Sequence, residues 1–292
     1  MRQIFISNNY PLQIKLTGPP HMKSKIKQLI EIVEDLRHPE TGCPWDKEQT
    51  FETIAPYTIE EAYEVFDAIK NKDPDSLKDE LGDLLFQIVF YAQMSKEKGG
   101  YDFEDIAQEI ANKMVQRHPH VFENTRSLTL EDQTMAWENQ KAFERSDNLD
   151  QNGALDGVAL ALPALIRAQK LQKRAARVGF DWQDIEPVMK KIREELDEVT
   201  DALNSQANID HIAEEIGDLL FSCVNLARHT KIDAEQALMA ANDKFQQRFQ
   251  FIELLLNDRG KNVEECSLEE LEKFWNEAKS KESTLKGGLV AS

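Results

Sequence analysis

The chain predicts an all-α protein made of two tandem helical bundle repeats, and three observations carry that prediction. Only 12 glycines and 10 prolines interrupt its 292 residues. Apolar residues recur at helical spacing, with little β-branched alternation. An acidic phrase is also written twice in the same order. Glu60-Glu61-Ala62-Tyr63-Glu64 precedes Glu80-Leu81-Gly82-Asp83-Leu84-Leu85-Phe86, and Glu194-Glu195-Leu196-Asp197-Glu198 precedes Glu215-Ile216-Gly217-Asp218-Leu219-Leu220-Phe221. Loop lengths differ between the copies while motif order is kept, which marks a duplicated domain rather than a short solenoid repeat. Two units of roughly 100 to 150 residues are each large enough for their own core.

Residues 1–21 hold scattered Asn, Pro and Gly without a helical period and read as an N-terminal tail. The first repeat, 22–144, opens on the stripe Ile26, Leu29, Ile30, Val33 and Leu36. His38 to Pro56 is rich in Pro and Gly and predicts a loop carrying Trp45 and Asp46. Periodicity then predicts helices over about 58–70, 76–97, 103–117 and 130–144. Thr58 with Glu61 fits a capping box, which would give Glu61 a role in starting a helix. Residues 145–158, nearly without large apolar side chains up to Ala154, form the linker. The second repeat, 159–281, begins with a helix from Pro163 to Val178, stopped by Gly179. Further helices are predicted over about 185–204, 207–229, 233–257 and 267–281. Residues 282–292 are small and polar and predict a frayed tail.

Each copy of the acidic phrase holds two carboxylate pairs three residues apart. On a helix such a pair lies on one face, with Cβ atoms roughly 5 to 6 Å apart. A single pair is most often a solvated face. The capping explanation open to Glu61 does not extend to Glu195, which sits well inside a helix opened near Asp184 or Pro187. Two such helices packed antiparallel gather Glu195, Glu198, Glu215 and Asp218, or Glu61, Glu64, Glu80 and Asp83. Oxygen ligands without His or Cys suit a hard cation, Mg²⁺ or in its place Mn²⁺, which shares its shell with phosphates. Gly82 and Gly217 cost a helix interior about 1 kcal/mol relative to alanine. They predict close approach by a facing helix or a ligand.

Cations and aromatics follow in the same order. Lys113 with Arg117, and Lys244 with Arg248, are pairs four apart that put two phosphate-reaching side chains on one stripe. Trp137 with Lys141, and Trp275 with Lys279, repeat that spacing, and a ring can stack on a base while lysine meets phosphate. Singly, these are solvated faces and core anchors. In one order, twice, they read as a nucleotide phosphate site with metal.

Gly42-Cys43-Pro44-Trp45-Asp46, the Glu-Glu-x-x-Glu and Glu-x-x-Asp pairs, and Val178-Gly179-Phe180-Asp181-Trp182 together resemble the MazG family of nucleoside triphosphate pyrophosphohydrolases, of the all-α NTP pyrophosphatase superfamily. The likeness covers roughly residues 25 to 281. It implies Mg²⁺-dependent hydrolysis of NTPs and dNTPs to monophosphate and pyrophosphate by a homodimer, with the C-terminal repeat as the main catalytic one. The expected mechanism has Glu195, Glu198, Glu215 and Asp218 holding metal, Glu194 or Glu195 orienting or deprotonating water, Lys244 and Arg248 clamping pyrophosphate, and Trp275 with Lys279 seating the nucleotide. Glu61, Glu64, Glu80, Asp83, Lys113, Arg117, Trp137 and Lys141 form a secondary N-terminal set. It is either a working or regulatory nucleotide site or a retained metal site silent in turnover.

A net charge of −18 excludes a general nucleic-acid binder, which needs a basic stripe against the phosphate backbone. Cys43, Cys223 and Cys266 are odd in number and in no zinc spacing, which predicts reduced thiols in a cytoplasmic protein. No apolar run approaches the roughly 20 residues of a membrane span, so no membrane partner is expected. A di-iron bundle would need Glu-x-x-His pairs, and none of the six histidines supplies one. Two other readings remain: a non-catalytic helical scaffold or nucleotide-sensing module without Mg²⁺ dependence, and a specialist for dUTP or modified nucleotides.

Overall fold

The computed structural model describes residues 24–122, 129 and 153–288, and every regular element among them is helical. The chain divides into two units, Met1–Glu138 and Asn139–Ser292. The first contains α1 (Lys25–Leu36), α2 (Pro44–Glu48), α3 (Phe51–Asn71), α4 (Pro74–Glu97), α5 (Phe103–Arg117) and α6 (Pro119–Phe122). The second contains α7 (Ala164–Arg177), α8 (Ile185–Asn204), α9 (Ile209–His229), α10 (Ala234–Asn257), a 3₁₀ turn at Val263–Glu265, and α11 (Leu268–Gly288).

The predicted loop from His38 to Pro56 is shorter than expected and holds α2. The first acidic helix starts at Phe51, because Thr50 accepts from the Thr53 amide while the Thr53 hydroxyl accepts from the Thr50 amide. This reciprocal cap outweighs Pro56, which removes one internal hydrogen bond from the helix. Thr58 therefore does not cap. Its hydroxyl lies 2.9 Å from that of Tyr91 on α4, and Glu61 sits mid-helix like Glu195. Gly42 is fixed by close backbone approach, since a Cβ there would lie 2.5 Å from the carbonyls of Leu36 and His38.

The paired acidic helices are the centre of each unit. α3 and α4 are joined by Lys72, in the left-handed region, and Asp73, which caps α4. So short a connection turns two packed helices antiparallel. α8 and α9 repeat the arrangement across Ser205–Asn208. In the first unit Val33, Ile54, Val89, Phe90 and Met94 form the core, with Phe51, Phe86 and Tyr91 packed on it. Arg37 clamps that core from above. It donates to Glu97 at 2.9 and 2.7 Å, reaches the Asp46 carbonyl, and lies 5.1 Å from the centre of the Phe90 ring. In the second unit Val188, Val224, Ile252 and Leu256 are the most deeply buried apolar side chains.

α7 ends as expected, with Gly179 at φ +88° and the Phe180 amide returning to the Ala175 carbonyl. The predicted tail after residue 281 is helical through Gly288. The predicted helix over 130–144 and the tail 1–21 fall outside the described residues, as does most of the linker. No described helix is long and apolar enough to cross a membrane.

Phe90 is fully buried among these side chains, so Phe90→Ala should destabilise the protein by about 3–5 kcal/mol. Urea denaturation monitored by circular dichroism checks this, and a loss below about 1 kcal/mol would contradict the assigned core.

Candidate active site

On α8, Glu195 and Glu198 project from one face one turn apart, and Glu215 meets them from the start of α9. One oxygen of each lies within 4.8 Å of the others, and so do those of Glu61, Glu64 and Glu80. Glu195 is only 4% exposed, whereas Glu198 is open to solvent. The fourth predicted members, Asp218 and Asp83, lie beside these triads without joining the 4.8 Å groups. Asp218 lines an adjoining cavity together with Glu195, and Asp83 is close enough to raise Glu61 electrostatically.

Crowded carboxylates repel, and the proton affinities of Glu61, Glu80 and Glu198 are raised. Burial first, then the charges of Asp83 and Glu64, push Glu61 up to about 7. Glu198 is raised chiefly by its hydrogen bond to Glu195 and then by burial. Such a crowded, oxygen-only set fits a hard divalent cation.

The second triad has basic neighbours that the motif analysis missed. Lys191 donates to Glu195 at 2.6 Å and to Glu194 at 2.7 Å, and His211 Nδ1 lies 3.4 Å from Glu215. Both follow the rule that residues three or four apart share a helix face, so the signal was present. At the matching positions the first repeat has Tyr57 and Ser76. Lys191 holds Glu194 below the usual carboxylate range, which makes Glu194 a weak base.

The cations and tryptophan form a separate cluster. Arg248 on α10 lies 5.3 Å from the centre of the Trp275 ring, which packs on Phe245, also at 5.3 Å. Lys244 and Lys279, both exposed, stand one turn from Arg248 and Trp275. None of these four lines the cavity beside Glu195. In the first unit Lys113 pairs with Glu109 on its own helix at 2.9 Å, and Arg117 ends α5. Trp137 and Lys141 lie outside the described residues.

Of the two close neighbours expected at Gly82 and Gly217, a facing helix or a ligand, the described chain supplies no helix. A Cβ at either would meet nothing within 4 Å, so no facing helix of the described chain approaches them. The cavity beside the second triad was not foreseen at all. It encloses about 750 Å³ between α7, the 179–182 loop, α8 and α9, within the size range of small-molecule sites. Lys191, Glu195 and Asp218 contribute to its wall, as do Phe180 and Trp182. Asp181 holds its loop to α9, accepting from Arg228 at 2.8 Å and standing 3.1 Å from His229 Nε2.

The MazG nucleotide pyrophosphohydrolase domain model matches the chain twice, over residues 49–122 and 183–250. The chain is 49% identical over 263 residues to the nucleoside triphosphate pyrophosphohydrolase of Escherichia coli strain K12, covering 90% of this chain and all of that protein. It is 41% identical over 258 residues to the nucleoside triphosphate pyrophosphohydrolase/pyrophosphatase MazG of Thermotoga maritima, covering 88% and 97%. A Mycobacterium tuberculosis nucleoside triphosphate pyrophosphohydrolase is 34% identical over 156 residues, 53% of this chain and 46% of that one.

The Arg228 hydrogen bonds hold Asp181 below the usual carboxylate range, with His229 adding to the effect. A depressed folded pKa contributes stability above the unfolded value, near 3.9, that is lost as pH falls through the folded one. Asp181→Asn should therefore melt lower than the parent at pH 7, with the gap closing in acid. Thermal melts from pH 7 to 3 check this, and a constant gap would contradict it.

Proposed function

Because the chain belongs to the MazG nucleotide pyrophosphohydrolase family and is an enzyme that hydrolyses nucleoside triphosphates, we propose that it cleaves NTPs and dNTPs to monophosphate and pyrophosphate, at the second repeat. The observation that supports this most directly is the Glu195, Glu198 and Glu215 triad beside a cavity of about 750 Å³. Mg²⁺, or Mn²⁺ in its place, held by Glu195, Glu198 and Glu215 with Asp218 alongside, supplies Lewis acidity at the phosphate oxygens when bound.

The remaining chemistry belongs to side chains. Water attacks the α-phosphorus, the bond to the bridging oxygen breaks, and pyrophosphate leaves with that electron pair. Glu195, buried and adjacent to the attack site, orients the water and takes its proton. Lys191 lies against Glu195 and places positive charge beside the phosphates. None of Lys244, Arg248, Trp275 and Lys279 lines the cavity itself, so in this reading the pyrophosphate extends beyond it to meet Lys244 and Arg248, with Trp275 and Lys279 beside them on α11. We assign the protein to the cytoplasm, as a homodimer that cleans nucleotide pools without a nucleic-acid or membrane partner.

Purified protein given each NTP and dNTP, with Mg²⁺ and then with EDTA, should yield monophosphate and pyrophosphate only with metal. Diphosphate plus orthophosphate would mean attack at a different phosphorus, and no turnover would favour a sensing module. Glu198→Gln should lower kcat by about 10²-fold or more, the scale of losing one electrostatic contact in a transition state. Its metal-free melting temperature should stay near or above the parent's, because one repelling charge is gone. Full activity, or a much lower metal-free melting temperature, would overturn the ligand assignment.

A further inference from the structure

The two repeats share their carboxylates but diverge farther along the same helix. From Glu80 and Glu215 the sequences run in register, placing Phe90 where the second repeat has Asn225, and Met94 where it has His229. Phe90 and Met94 are sealed in the first unit's core, at 0% and 1% exposure. Asn225 instead lines the cavity beside Glu195 and Asp218.

Its amide is oriented by neighbours. The Asn225 side-chain oxygen accepts from Arg228 Nε at 3.1 Å and Nη2 at 2.7 Å, and Arg228 is held in turn by Asp181. Among the described residues the Asn225 side-chain nitrogen makes no hydrogen bond, so its donor end is available. Gln172, on α7 and in the same cavity wall, is oriented the opposite way. Its nitrogen donates to the Phe221 carbonyl at 2.8 Å, and its oxygen, in a residue 93% buried, has no partner. A buried acceptor left unpaired is costly unless a ligand supplies the donor. Phe180 and Trp182 add aromatic faces to the same wall.

Resting on the pyrophosphohydrolase reading above, we propose that Gln172 and Asn225 read the nucleobase edge. The Gln172 oxygen accepts from an N–H of the base, and the Asn225 amide donates to a ring nitrogen or carbonyl. Phe180 and Trp182 cover the base faces, leaving the triphosphate toward Glu195 and Asp218. The first repeat presents the same acidic helix pair but fills the Asn225 position with a core phenylalanine. Among the described residues it has no counterpart of this base subsite, whatever its carboxylates bind.

The test uses the full chain with Mg²⁺. KM is measured for each NTP, and the inhibition constant for ribose 5-triphosphate, which lacks only the base, in the parent, Gln172→Met and Asn225→Phe. Gln172→Met should raise KM for at least one nucleotide about tenfold, the effect of one lost hydrogen bond in a dry site, while ribose 5-triphosphate changes less than about twofold. Asn225→Phe, which installs the first repeat's residue, should do the same; if its melting temperature shows misfolding, Gln172→Met decides alone. Equal weakening of both ligand classes, or unchanged nucleotide KM, would overturn base reading while leaving the hydrolase intact. Failure of the parent to turn over any nucleotide would instead sink the pyrophosphohydrolase reading, and this assignment with it.

Discussion

Three carboxylates held within 4.8 Å of one another are the constraint around which each unit is organised. Like charges at that distance oppose folding, so they persist only because a stiff scaffold fixes the helices that carry them. The short connections at Lys72–Asp73 and Ser205–Asn208 supply part of that stiffness. The buried stripe Val33, Ile54, Val89 and Phe90 supplies the rest in the first unit, and Val188 with Val224 contributes in the second.

The units relieve the repulsion differently. Beside Glu195 and Glu215 stand Lys191 and His211, each one helical turn earlier. At the matching positions Tyr57 leans edge-on against Trp45, and the Ser76 amide donates to the Asp73 carboxylate that caps α4. Glu61 is consequently left to its burial and its acidic neighbours, which push it up to about 7. An ammonium group beside the second triad offsets the cost of burying Glu195 among other carboxylates.

A second contrast lies deeper in the helices. Phe90 and Met94 give the first unit a close-packed centre, whereas Asn225 and Gln172 place amides in the wall of a cavity in the second. Replacing a core phenylalanine with an amide forgoes packing and needs compensating bonds, which Asp181 and Arg228 provide. That pattern of stability yielded locally and recovered through neighbouring hydrogen bonds is expected at functional sites.

Periodicity, the doubled acidic phrase and the near absence of helix breakers were enough to determine the helical class, the duplication and the carboxylates that meet, because i, i+3 spacing is fixed by helix geometry itself. Lys191 and His211 were legible by the same rule. The start of α3 was misjudged because a Thr50–Thr53 cap weighs more than Pro56, which a count of breakers cannot express. The cavity beside Glu195 was beyond the sequence, since Gln172, the Phe180–Trp182 loop and Asn225 are separated along the chain and meet only through packing of α7 on α9. The sequence by itself determined which groups carry charge and how they space along each helix; tertiary structure alone decided that Asp218 shares a cavity wall with Glu195, that Arg248 faces Trp275 rather than the cavity, and that one repeat is open where the other is filled. Those outcomes depend on contacts between helices, whose energies are set by shape and distance rather than by position along the chain.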